Sequence, residues 1–159
     1  MGAKGEALAK QFEAKVQEAT GVMEKISDAD WKKVTAAEKW TVGATAHHVA
    51  RGHEAIAGIL KTVASGQSIP NFTMAMLDAS NAQHAQEFAN VSKADTLALH
   101  KQSAAAAAAI VRDVSDAQFA NTGVVLKEMP AMSAEQIAVG ILINHIDDHF
   151  GSIRKTVGA

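Results

Sequence analysis

The chain contains no cysteine and only two prolines in 159 residues, and aromatic side chains make up 4% of it. Without cysteine, disulfides, thiolate metal sites, covalent haem attachment and a protein-borne thiol nucleophile are all excluded. Any thiol chemistry would therefore need an external thiol. The prolines, Pro70 and Pro130, lie between long stretches rich in Ala, Lys and Glu, so they mark connectors between helices.

The sequence also lacks an excess of charge and a long apolar run. Lys and Arg total 15 against 17 Asp and Glu, and the two signs alternate along the chain instead of forming a basic stripe, so a nucleic-acid partner is not expected. The longest apolar run, residues 104–111, is too short to cross a bilayer, and the N-terminus has no apolar signal core. We therefore expect a cytoplasmic protein with no membrane partner, folded as one domain over residues 1–159.

Apolar residues recur every three or four positions through most of the chain, which predicts an all-α fold. Capping residues and the prolines place the ends of these helices. The predicted elements are long helices at 4–27, 41–65, 92–114 and 133–157, a shorter helix at 73–89, a helical turn plus loop at 28–40, and an irregular connector at 115–132. Four long helices and one additional short helix predict a four-helix bundle.

The final helix carries two histidines, His145 and His149, four residues apart. This spacing places both imidazoles on one helix face, and a helical projection puts that face in the apolar sector that points into the bundle. A catalytic metal usually has at least three protein ligands, so the pair is part of a metal site that needs a third ligand. Asp148 lies at the edge of the same sector and is a candidate for supporting the site.

The second long helix offers three histidines for that third ligand. The projection turns His47 toward water, about half a turn from the apolar stripe. His48 and His53 flank the stripe on opposite sides, and both could reach the interior. The projection alone does not choose between these two.

Two histidine motifs of this chain resemble the signatures of the DinB-like (DinB/YfiT) metalloenzyme family. Trp40 precedes His48 by eight residues within the run 40–49, and the final helix contains His145-x-x-x-His149-x-Gly151-x-Ile153. The region 76–97 is also similar, so the resemblance covers nearly the whole chain. It implies a four-helix bundle, often a homodimer, in which His48, His145 and His149 hold one divalent metal. It also implies a small-molecule substrate and either hydrolysis or a transfer or isomerisation that uses a low-molecular-weight thiol.

Imidazole ligands suit zinc or nickel, and three of them leave a coordination position open for water or substrate. A carboxylate di-iron centre is excluded because no glutamate is followed three residues later by histidine. Asn81 and His84 share the inward face of the shorter helix and, with Asp148, are secondary candidates for orienting ligands or substrate. The other interpretation of His84, shared with His53 and His100, is an ordinary hydrogen-bonded histidine. A non-catalytic metal- or ligand-binding stress-response bundle is the alternative function.

Overall fold

The structure, a computed structural model, describes residues 2–159 and is an all-α four-helix bundle with only one very small sheet. The long helices agree with the sequence prediction to within about two residues at most ends, as expected for helix boundaries. The helices are α1 (Ala3–Lys25), α2 (Asp28–Trp31), α3 (Val42–Ala64), α4 (Met74–Glu87), α5 (Lys93–Asp113), α6 (Ala134–Ile137) and α7 (Asn144–Val157).

Side-chain caps start the helices where the sequence predicted them. The hydroxyls of Thr41 and Ser92 accept hydrogen bonds from the backbone amides of Ala44 and Asp95. Ser133 and Gln136 form a complete capping box, in which each side chain accepts from the other residue's backbone amide. These bonds satisfy amide donors that the first helical turn leaves unpaired, so each helix has a defined start.

The core forms where α1, α3, α5 and the C-terminal helix pack together, and α3 lies at its centre. The alanine-rich face of α5 lies against α3, and small side chains such as Ala104 and Ala107 allow this close approach. Large side chains fill the remaining space; among those almost fully buried are Phe12, Met23, Leu60, Phe119, Phe150 and Ile153. Within residues 2–159, every helix is too short or too polar to cross a membrane.

The connector before the last helix contains a short 3₁₀ turn and two extended residue pairs. Thr122–Gly123 (β1) pairs antiparallel with Met132–Ser133 (β2). A Cβ atom at Gly123 would lie 2.4 Å from the backbone oxygen of Gln67, so only glycine permits this approach. The residues after β1 then pass over the bundle, and Val125 and Leu126 reach the cavity described below.

The final helix is continuous, but it is not α-helical throughout as the sequence predicted. Residues Ala138–Ile143 form a π-helical segment between α6 and α7. Ile137, Ile141, His145 and His149 follow one another at intervals of four and all line one cavity. In a regular α-helix, each interval of four rotates the side chain by about 40°, so these residues would diverge by about 120° over three intervals. The wider π turn offsets this drift, and such segments are frequent at functional sites.

Candidate metal centre

Three histidines from two helices meet at one end of the cavity. His48 comes from α3, and His145 and His149 come from α7; each offers a ring nitrogen within 4.8 Å of those of the other two. The Nε2 atoms of His48 and His145 lie 3.0 Å apart. Two nitrogens bound tetrahedrally to one zinc would be separated by about 3.3 Å, given Zn–N bonds of about 2.0–2.1 Å. The spacing therefore suits a shared divalent ion.

A buried carboxylate that the sequence analysis missed holds His149. Nδ1 of His149 donates to Oε2 of Glu38 at 2.7 Å, and the Ser152 hydroxyl donates to Oε1 at 2.6 Å. Burial alone would raise the pKa of Glu38, but the hydrogen bonds from Ser152 and His149 outweigh it and leave that pKa below its ordinary value. With its proton on Nδ1, His149 presents the Nε2 lone pair to the site, an arrangement common among metal-ligating histidines.

A tight loop before α3 places Glu38. Its ends are closed by hydrogen bonds from the Thr35 amide to the Trp40 carbonyl at 2.8 Å and from the Lys39 amide to the Thr35 carbonyl at 3.0 Å. Lys39 has φ of +63°, a left-handed conformation uncommon for a residue with a side chain. Trp40 then packs against His48 and His149, with ring centroids 5.2 and 6.3 Å away. The loop thus anchors the site, and Trp40 packs beside two of its histidines.

Beyond the 3.0 Å contact of its Nε2 atom with that of His48, His145 is held by packing. Its Nδ1 atom is buried and has no hydrogen-bond partner among residues 2–159. The ring lies over Gly52, where an added Cβ would come within 2.9 Å of the ring carbon Cε1. Gly52 therefore provides the space that the imidazole occupies beside His48, one turn earlier on α3.

The electrostatics of the site keep His48 and His145 neutral. Burial, with smaller effects from His149 and other neighbours, lowers the pKa of His48 to about 3. Burial also lowers the pKa of His145, and His149 and His48 lower it further. Neutral imidazoles offer lone pairs, and a divalent ion compensates the cost of burying polar nitrogens. The donor set, the spacing and the glycine cradle thus fit a divalent metal.

The prediction that His47 faces water was wrong, since its residue exposure is 7%. Its Nδ1 atom lies 2.7 Å from Nε2 of His84, and its ring stacks on Phe88. The projection considered α3 alone, whereas α4 packs over that side and covers His47. His84 is buried beside His48, with ring centroids 5.8 Å apart, so it lies behind the site and outside the cavity lining.

His53 and His100 form a separate buried pair, in agreement with the ordinary hydrogen bonding predicted for them. Nε2 of His100 lies 3.1 Å from the Val16 carbonyl oxygen, and Nδ1 of His100 lies 3.0 Å from Nε2 of His53. Since a carbonyl only accepts, Nε2–H of a neutral His100 donates to Val16, and His53 donates to His100. This pair contributes to core packing between α1, α3 and α5.

Asp148, expected at the inner edge of the last helix, lies outside the bundle. Its side chain is exposed, accepts a hydrogen bond from Asn144 at 3.2 Å and borders an open surface groove. The predicted apolar sector assumed a regular helix through Ala138–Ile143, which is π-helical, and the supporting carboxylate is Glu38 instead. Asn81, by contrast, lines the cavity, as its position on the inward face of α4 predicted.

The three histidines open onto a cavity of about 430 Å³. Its walls are mainly apolar, and its polar groups besides the histidines are few. The non-histidine lining residues are Trp40, Arg51, Gly52, Ala55, Ile56, Ile59, Phe72, Leu77, Ser80, Asn81, Val125, Leu126, Ile137 and Ile141. Apolar walls with a few convergent polar groups are typical of small-molecule sites of this volume.

Two solved structures share this architecture. YfiT from Bacillus subtilis, described as a probable metal-dependent hydrolase with an unusual four-helix bundle topology, has a TM-score of 0.72 at 19% identity; the match covers 96% of this chain and 83% of YfiT. The mycothiol-dependent maleylpyruvate isomerase also has a TM-score of 0.72, at 14% identity, and the match covers 96% of this chain but only 65% of the isomerase. At these identities the likeness shows the fold.

Comparison with curated proteins gave no match. The model of the DinB superfamily, however, matches residues 11–153, a range that includes the Trp40 motif, Glu38 and all three site histidines. Because this match extends over most of the chain, the protein belongs to the DinB superfamily.

Proposed function

We propose that His48, His145 and His149 hold one divalent ion, zinc or nickel, and that the protein is a metal-dependent enzyme acting on a small molecule. The observation that carries this proposal is the convergence of three imidazoles at the end of an apolar cavity. Three protein ligands leave a coordination position open, as catalytic sites do. Glu38 orients His149, and Gly52 makes room for His145.

When bound, the ion would supply a Lewis acid that lowers the pKa of a water or thiol reaching it. The chain has no cysteine, so a thiol nucleophile must come from solution. Among residues 2–159, those that line the cavity include no aspartate or glutamate to take a proton from water. A thiol, with an ordinary pKa of about 8.5, needs a much smaller shift than water to ionise near neutral pH, and a thiol bound to a metal is deprotonated outright. This difference favours transfer or isomerisation with a low-molecular-weight thiol over hydrolysis.

Metal analysis of purified protein tests the site. We expect about one equivalent of metal in the wild type. His145→Ala and His48→Ala should each abolish metal binding, because the two imidazoles that remain are too few to hold the ion. His47→Ala is the matched control on the same helix: it should retain the metal, since His47 is bonded to His84 behind the site. Unchanged metal content in His145→Ala would refute the ligand assignment.

An activity screen then distinguishes the reactions. Metal-loaded protein is assayed for conjugation of low-molecular-weight thiols to small electrophiles and for ester and amide hydrolysis, each with and without chelator. We expect chelator-sensitive thiol transfer. If only ester or amide hydrolysis is detected, the protein is a hydrolase and the thiol-dependent reaction is refuted. A metal-loaded protein that is inactive in both assays would favour a non-catalytic binding bundle.

A further inference from the structure

The cavity carries one fixed positive charge and no negative one. Among residues 2–159, Arg51 is the one lysine or arginine that lines it. No aspartate or glutamate of these residues lines the cavity. A cation at the edge of an apolar cavity attracts anions, because a cleft that has one sign of charge and low-dielectric walls focuses the field.

Arg51 is also free to take a ligand. Its side chain is exposed, and its guanidinium forms no ion pair or side-chain hydrogen bond with another group of residues 2–159. The two other arginines of the chain, both half-buried, differ in this respect. Arg112 binds Glu6 and Glu13, and Arg154 binds Glu18. Within the described chain, Arg51 therefore lacks the carboxylate partner that these two arginines have.

The position of Arg51 relates it to the metal centre. It follows His48 by three residues on α3, about 4.5 Å along the helix axis, so both side chains reach the same cavity. Its charge extends to the histidines, where it contributes to lowering the pKa of His47, His48 and His84. A ligand bound to the guanidinium of Arg51 would thus lie within the cavity, with its remaining atoms toward the histidines.

The remaining walls of the cavity define the rest of the ligand. Ile56, Ile59, Leu77 and Ile141 present aliphatic surface, while Ser80 and Asn81 are the neutral polar side chains of the lining. A phosphate dianion usually binds several cations or a helix N-terminus, and the described lining offers neither. One guanidinium instead matches one carboxylate through two parallel hydrogen bonds.

We propose that the cavity binds an aliphatic monocarboxylate, with its carboxylate on Arg51 and its apolar chain against the walls that lead to the histidines. This deepens the proposed function by assigning a substrate class, and it rests on the same cavity. Binding of the carboxylate itself does not require the metal.

Calorimetric titration with matched probes tests the assignment. Hexanoate and its neutral isostere hexanamide are compared on wild type, Arg51→Gln, Arg51→Lys and the control Lys101→Gln, which alters an exposed cation bordering a different groove. We expect the wild type and Lys101→Gln to prefer hexanoate about fivefold, the upper range for an exposed ion pair. Arg51→Gln should lose the preference while hexanamide affinity stays unchanged, and Arg51→Lys should keep part of it. Equal affinities in the wild type, or a preference that survives Arg51→Gln, would overturn the proposal.

Two further arms separate the cavity from other sources of binding. Affinity should rise about fourfold per methylene from butanoate to hexanoate if the chain is buried; a flat series would place the acid on the surface and refute the cavity assignment.

Repeating the titration after chelation separates Arg51 from the metal. A preference that persists in chelated protein supports Arg51 even if the metal site fails, whereas one that disappears would assign the carboxylate to the metal and overturn the role of Arg51.

Discussion

Replacing Gly52 by alanine should separate metal affinity from fold stability. The added Cβ would lie 2.9 Å from Cε1 of His145, whereas ordinary contacts begin at 3.4 Å, so the ring must move by about 0.5 Å. Metal–ligand distances tolerate about 0.2 Å, so the displaced imidazole no longer meets the ion that His48 and His149 bind. We expect metal affinity to fall about tenfold or more, comparable to losses from disturbing the groups that orient a ligand.

Gly58 on the same helix provides the matched control, because a Cβ there meets no atom within 4 Å. Gly58→Ala should stabilise the protein by about 0.5–1 kcal/mol, through lower backbone entropy in the unfolded chain, and leave metal affinity unchanged. In Gly52→Ala the contact with His145 offsets part of that gain.

The assay combines urea denaturation of chelated protein with metal competition against a chromophoric chelator. Wild-type metal affinity in Gly52→Ala would refute the idea that His145 is positioned by packing on Gly52. An equal loss of metal affinity in both glycine variants would show that the stiffness of α3, and not the contact between residue 52 and His145, determines how tightly the site binds metal.

Two other predictions follow from the site and the core. Glu38→Ala should lower metal affinity about 10–100-fold, as measured by competition titration. Glu38→Gln should lower it less, because the amide oxygen can still accept a hydrogen bond from His149. Glu18→Gln changes an exposed carboxylate and should leave metal affinity unchanged. Burial, with a smaller effect from His100, lowers the pKa of His53 to about 3. In the unfolded chain the pKa of this histidine is about 6.5, so the unfolded state binds the proton first as the pH falls. The free energy of unfolding therefore decreases as the pH drops from about 6.5 toward 3. His53→Gln should flatten this decline by up to about 1.4 kcal/mol per pH unit in denaturation curves recorded across that range, and an unchanged slope would contradict the assignment.

The helices and the histidine pair on the last helix were accessible from the sequence because they depend on local properties. Three- and four-residue apolar spacing, capping residues and two prolines define where each helix begins and ends. The same spacing places His145 and His149 on one face. The third histidine needed the family resemblance, since projection left His48 and His53 equally able to reach the interior.

The errors arose where one element decides the surroundings of another. His47 is buried because α4 covers α3, and a projection of α3 contains no information about α4. Glu38 lies in a loop with no helical periodicity, and its nearness to the Trp40 motif was the only available signal. Asp148 was assigned to the inner edge by assuming a regular helix, whereas residues Ala138–Ile143 have π-helical geometry.

The sequence by itself determined the helical fold, the absence of protein thiol chemistry and the facing pair His145 and His149, because composition and helical period are properties of contiguous residues. Tertiary structure alone decided that Glu38 holds His149, that Gly52 makes room for His145 and that Arg51 lines the cavity without an ion pair to any of residues 2–159. These relations join residues distant in the chain, and the packing of helices and loops, which no local pattern encodes, brings them together.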